Sequence, residues 1–192
     1  GCFIGCLTHG NDTAAIADRF GLPDVLTRLL ESIFERLPFD EAADFFSEIP
    51  RAIGEDGKDL TRVHWAFLAD MLRHLPDTGA RGVVADVTAG MDLLAAGKDW
   101  PEAAEAKAKA EAAAEAGRAA RAVRAARAAM AAYWAAEAAY WATNRPGAKS
   151  ARATAAAAAA EAGGGGREIR RQRDVILRLI REVPAPAPDD RR

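Results

Sequence analysis

Apolar positions recur every three or four residues along most of the chain, the period of a helix with one buried face. Val25, Leu26, Leu29, Leu30, Ile33, Phe34 and Leu37 make one wide stripe, opened by Pro23 and ended by Pro38. Asp40 is placed to cap a second helix carrying Ala42, Ala43, Phe45, Phe46 and Ile49, with Pro50 as its expected stop. A loop holding Gly54 and Gly57 leads to a helix from Leu60 to Leu75, marked by Val63, Phe67, Leu68, Met71 and Leu72. Another is expected from about Ala80 to Ala96, with Gly97 as the residue just past its end. Upstream, Asn11 or Asp12 caps a short helix that stops at Gly21. Neither a period-two alternation nor a hairpin turn signal occurs, so the predicted fold is all-α.

The longest pattern is the alanine-rich run from Pro101 to Thr143. Asp99 is a candidate N-cap, Pro101 suits the first turn, and Glu102 and Glu105 favour the positive end of a helix dipole. Alanine gives up no side-chain entropy in a helix, so the run is expected to be helical until Asn144, Arg145, Pro146 and Gly147 stop it. Unbroken, it would be roughly 60 Å long, whereas a compact chain of this size has a radius of gyration of about 16 Å. The helix must therefore protrude, bend near Gly117, or pair with a second long helix. A lone glycine costs about 1 kcal/mol against alanine, enough for a kink but not for a turn.

Beyond the run, Ser150 is placed to cap a short helix to Ala162, and Gly163 to Gly166 reads as a flexible linker. A last amphipathic helix is expected from Arg167 to Glu182, with Ile169, Val175, Ile176, Leu179, Ile180 and Val183 on its apolar face. Pro184, Pro186 and Pro188 make residues 184–192 an extended, disordered tail. The expected organisation is a multi-helix core over 1–97, then an alanine-rich hairpin or bundle over 98–183 built from the long helix and one or two returning helices.

Composition changes this picture little. The 192 residues carry a formal charge of −2, which gives no global attraction to nucleic acid or anionic membrane. The abundance of alanine, arginine, aspartate and glycine suggests a GC-rich bacterial or phage genome. No segment is long and apolar enough to span a bilayer, and no signal-peptide pattern is visible, so a cytoplasmic protein without membrane contact is expected. A start at Gly1 without methionine fits a fragment or a trimmed product. Gly5 stands where a myristoylation signal wants Ser or Thr.

The motifs Gly-Cys-Phe-Ile-Gly-Cys at the start, Gly21-Leu22-Pro23, Ile33-Phe34-Glu35 and Leu37-Pro38 go together. With them the chain resembles a set of uncharacterised bacterial and phage proteins, in which a GCxxGC segment leads into LG(I/L)P, IFEGLP and later AIP. Ile49-Pro50 fits the last element, while Arg36 replaces the usual glycine. The resemblance covers the first third by motif and the alanine-rich remainder by composition. It implies a phage or mobile-element setting and carries no activity.

Candidate chemistry is sparse. Cys2, Cys6 and His9 would share one helical face, and thiolates with imidazole suit zinc, with His64 or His74 as a fourth ligand. On a helix the two cysteines would be about 5–6 Å apart at Cβ, too far for the roughly 3.5–4.5 Å of a disulfide, so reduced thiols are expected. Buried cysteines acting as small hydrophobes are the simpler reading, with no cofactor. Cys6 as a nucleophile with His64 and an acid such as Asp70 is the enzyme alternative; His74 beside Arg73 fits a cation at a helix C-terminus. Tyr133 with Tyr140 and Trp134 with Trp141 repeat at seven residues, a core spacing. Arg118, Arg121, Arg124 and Arg127, each 60° behind the last on one helix, would wrap half of it as a solvated face. Joined to Arg167, Arg170, Arg171 and Arg173 of the last helix, they are the alternative: a nucleic-acid surface, provided both sets face one side. The reading preferred on the sequence is a non-enzymatic interaction protein that offers its long helix to a protein partner or a second copy.

Overall fold

A computed structural model describes residues 3, 5 and 16, residues 20–144 apart from 56, 77 and 78, and residues 165–186. Among the described residues every regular element is helical, and the fold is all-α. The bounded helices are α1 (Asp24–Phe34), α2 (Phe39–Ile53), α3 (Val63–Arg73), α4 (Arg81–Ala95), α5 (Ala103–Ala119), α6 (Val123–Asn144) and α7 (Gly165–Glu182).

The stripe on α1 is buried as its period predicts, from Val25 through Ile33. Prolines set the starts of the first two helices: Pro23 and Pro38 occupy the N-cap positions, and the Thr27 and Ala42 amides donate to their carbonyls. Asp40 thus lies in the first turn of α2 instead of capping it. Pro50 does not end α2 either; the helix continues to Ile53 and closes at Gly54, whose φ is +72°. Proline there forgoes one backbone donor, which is tolerable where Ile49 and Ala52 on either side bury their side chains. At the end of α4 the Gly97 and Lys98 amides donate to the carbonyls of Leu94 and Leu93, the Schellman arrangement expected of Gly97.

The largest departure from the sequence pattern lies in the alanine run. It folds back on itself at residues 120–122, so α5 and α6 form an antiparallel hairpin in place of one long helix. Arg121 takes the left-handed conformation (φ +54°), and the Arg121 and Ala122 amides donate to the carbonyls of Arg118 and Gly117. This is the same Schellman stop, built on arginine where glycine is the usual residue. Ala103, Ala106, Ala110, Ala114 and Gly117 form the buried stripe of α5. On α6, alanines 128, 129, 131, 132, 135, 136, 138 and 139 are all buried. A helix buried on nearly every side shows little amphipathicity, and only small side chains admit neighbours this close.

One hydrophobic core runs through α1–α6 and on to Ile169, Ile176, Leu177 and Ile180 of α7, so packing is continuous across residue 97. α7 packs chiefly against α2 and α3, on the side of the N-terminal helices. Gly165 and Gly166, expected in the linker, already belong to α7. Residues 184–186 are irregular; the rest of the predicted tail and the helix expected after Ser150 lie outside the described residues.

Candidate functional site

The arginines singled out in the sequence have two different fates. On α7, Arg170 donates to both carboxylate oxygens of Glu41 at 2.7–2.9 Å, and Arg173 reaches the same group at 3.4 Å. Arg171 donates to Asp70 at 2.5 Å and to Glu168 at 2.8 Å. Arg178 also reaches Asp70, at 3.3 Å, and Arg181 reaches Glu48 at 2.7 Å. Lys58 binds the carbonyls of Ile180 and Arg181 with its ammonium, a cation at the C-terminal end of α7. The basic face of α7 is therefore turned onto acids of α2 and α3, and it does not join the other arginines in one surface.

Those others gather at the hairpin tip. Arg118 closes α5, Arg121 is the turn, and Arg124 and Arg127 lie in the first turns of α6; all four are exposed. They do not wrap one helix, because the chain reverses between them. Between Arg118, Arg121 and Arg127 lies an apolar depression of about 420 Å³, floored by Gly117, Val123, Ala126 and Met130. Val123 is 56% exposed. Arg118 lies across Met130, its Nη1 3.5 Å from the thioether sulfur. The sequence reading missed Val123 and Met130 as parts of this surface. Their only signal was that apolar residues continue into an arginine-rich segment.

Cys2, Cys6 and His9 lie outside the described residues. His64 is buried, its ring 4.0 Å from that of Trp65. Asp70 is engaged by Arg171, Arg178 and His74, whose Nδ1 lies 3.1 Å from the carboxylate and 2.8 Å from the Asp70 carbonyl. His74 is the C-cap of α3, the helix-end position expected of it. Among the described residues no group of three or more His, Cys, Asp and Glu is placed to hold a metal ion, and no helix is long and apolar enough to cross a membrane.

Between α5 and α6 lies a polar contact absent from the sequence reading. Lys107 pairs with buried Glu137 at 3.2 Å, and its ammonium stands 5.5 and 5.6 Å from the ring centres of Tyr133 and Tyr140. The Tyr133 hydroxyl donates to Glu137 at 3.3 Å; burial, then the carboxylate's charge, raises the phenol above its ordinary pKa. The seven-residue aromatic repeat thus flanks a cation as well as packing.

The α7 contacts predict an acid dependence. The hydrogen bond from Arg170, with the charges of Arg170 and Arg173, holds Glu41 below the ordinary glutamate range. Hydrogen bonds from Thr61 do the same for Asp59. A depressed carboxylate contributes stability above its unfolded pKa and loses it as pH falls through the folded value. Denaturant midpoints measured from pH 7 down to pH 3 should therefore fall below about pH 4.5, and Glu41→Gln should flatten that fall. A midpoint equally pH-dependent in the variant refutes the assignment to Glu41.

No family model, curated protein or solved structure matches the chain.

Proposed function

We propose that the protein is a non-enzymatic interaction module that presents its alanine hairpin, tip foremost, to a protein partner. The observation that carries this is the contrast between the two arginine sets. Arg170, Arg171, Arg173, Arg178 and Arg181 of α7 meet carboxylates of their own chain, while Arg118, Arg121 and Arg124 make no ion pair among the described residues, and the first two of these rim an exposed apolar depression. The inward faces of both hairpin helices are used within the chain, which leaves the tip as a surface where positive charge and apolar area coincide. The phage or mobile-element setting implied by the N-terminal motifs, and a cytoplasmic location, belong to this proposal.

The second reading is nucleic-acid binding by the tip. Four arginines at one point suit a few phosphates, but the apolar floor between them would gain nothing from a phosphate backbone. Photo-crosslinking separates the two. A photoreactive residue at Val123 in the native host should give protein adducts, and the same residue at Phe39, which is 92% exposed, should not. Adducts to nucleic acid from position 123 would establish the second reading. Adducts from position 39 alone would overturn the proposal. An adduct from position 123 to another copy of the chain would identify the partner as itself.

A further inference from the structure

We infer that the depression at the hairpin tip is a docking site for an acidic amphipathic protein segment. This rests on the interaction-module reading and names the chemistry of the partner. Two features of the tip have to be satisfied together. The floor of Val123, Ala126 and Met130 is almost wholly apolar. Around it Arg118, Arg121 and Arg127 supply guanidinium groups, which are weakly hydrated and match carboxylates in a two-pronged geometry.

The surrounding sequence strengthens the charge argument. No acidic residue occurs from Ala116 to Ala136, and Glu115 is the one acid within three residues of a tip arginine, so positive charge predominates at the tip. A simple anion or a phosphate backbone would use the rim and leave the floor in water. A purely apolar segment would use the floor and leave Arg118 and Arg121 without counter-charge at the edge of a drier site. A segment with an aliphatic face bordered by Asp or Glu uses both, in the manner of amphipathic helices seated in grooves. Its rim charges would speed encounter and make binding sensitive to salt.

Two substitutions lower the positive charge of the tip without threatening the fold. Arg121→Gly places glycine at a left-handed position that suits it better than arginine. Arg124→Glu puts a carboxylate in the first turn of α6, where the helix dipole favours it. The probes are a labelled leucine–glutamate amphipathic peptide, its leucine–glutamine and serine–glutamate counterparts, and a DNA duplex, titrated by fluorescence anisotropy at low and high salt. The leucine–glutamate peptide should bind tightest, weaken about tenfold in R121G/R124E and weaken severalfold in Val123→Ser, which trims the floor alone. Equal binding of the serine–glutamate peptide reduces the tip to an anion patch and overturns the inference. Tighter binding of the duplex, or no binding of any peptide, overturns it as well. Protein crosslinks from position 123 without peptide binding would leave the module reading standing and remove only this partner chemistry.

Discussion

Replacing Gly117 with leucine should open the alanine hairpin at its crossing and lower stability by about 3 kcal/mol. A Cβ on residue 117 would lie 2.8 Å from the Ala126 amide nitrogen, 3.0 Å from its Cα and 3.1 Å from its Cβ. The first two are backbone atoms of α6, which cannot rotate aside as a side-chain end can. Relief requires α5 and α6 to separate next to the turn, and with them the buried contacts of Ala114 and Ala128. Alanine at 117 is the finer test. It gains about 1 kcal/mol of helix propensity over glycine, so its net cost should be smaller than leucine's but still unfavourable. Ala116→Leu, on the exposed side of the same turn, should stay within about 0.5 kcal/mol of the parent. Urea denaturation of the three variants measures this. A Gly117→Ala variant more stable than the parent would mean that the two helices do not need so close an approach.

Removing the lysine of the interhelical pair should cost more than removing its glutamate. Lys107 and Glu137 are 3.2 Å apart, but the lysine side chain keeps 24% of its surface exposed and the glutamate only 7%. Lys107→Met removes the lysine counter-charge from a carboxylate with little access to water. A fully buried pair broken this way loses about 3–5 kcal/mol, and the partial exposure of the lysine reduces this to about 2. Glu137→Leu leaves an ammonium that still faces Tyr133 and Tyr140 and can extend toward solvent, so about 1 kcal/mol is expected. The double variant K107M/E137L should return near the parent, because apolar residues of similar volume often replace a buried pair without loss. A double-mutant cycle in denaturant gives the coupling directly. Strict additivity would show that the pair contributes nothing beyond its two side chains.

Much of the fold was legible because helices advertise themselves locally. The period of Val25 to Ile33 and the Gly97 stop were readable from neighbours a few residues away, and the structure has them as expected. Pro50 misled for the same reason. A proline penalty is a local average, and α2 continues through it where Ile49 and Ala52 bury their side chains. The site was only half visible. The four arginines could be named, but a three-residue spacing on an imagined single helix scattered them around its circumference. The α7 arginines were indistinguishable from them by composition, since the acids that tie them to α2 and α3 lie about a hundred residues or more away in sequence.

By itself the sequence determined that this protein is helical, where most of its helices begin and end, and which faces are apolar, because these follow from propensity and from periods of three and four. Only the tertiary structure decided that the alanine run turns back at Arg121, since a left-handed arginine is unfavourable alone and tolerable once the two helices pack. It also decided which charges are paired. Whether an arginine meets a carboxylate depends on which helices become neighbours, and that is set by the packing of the whole core. The arginines of the hairpin tip are exposed because they lie at the far end of two helices whose inward faces are already occupied by each other.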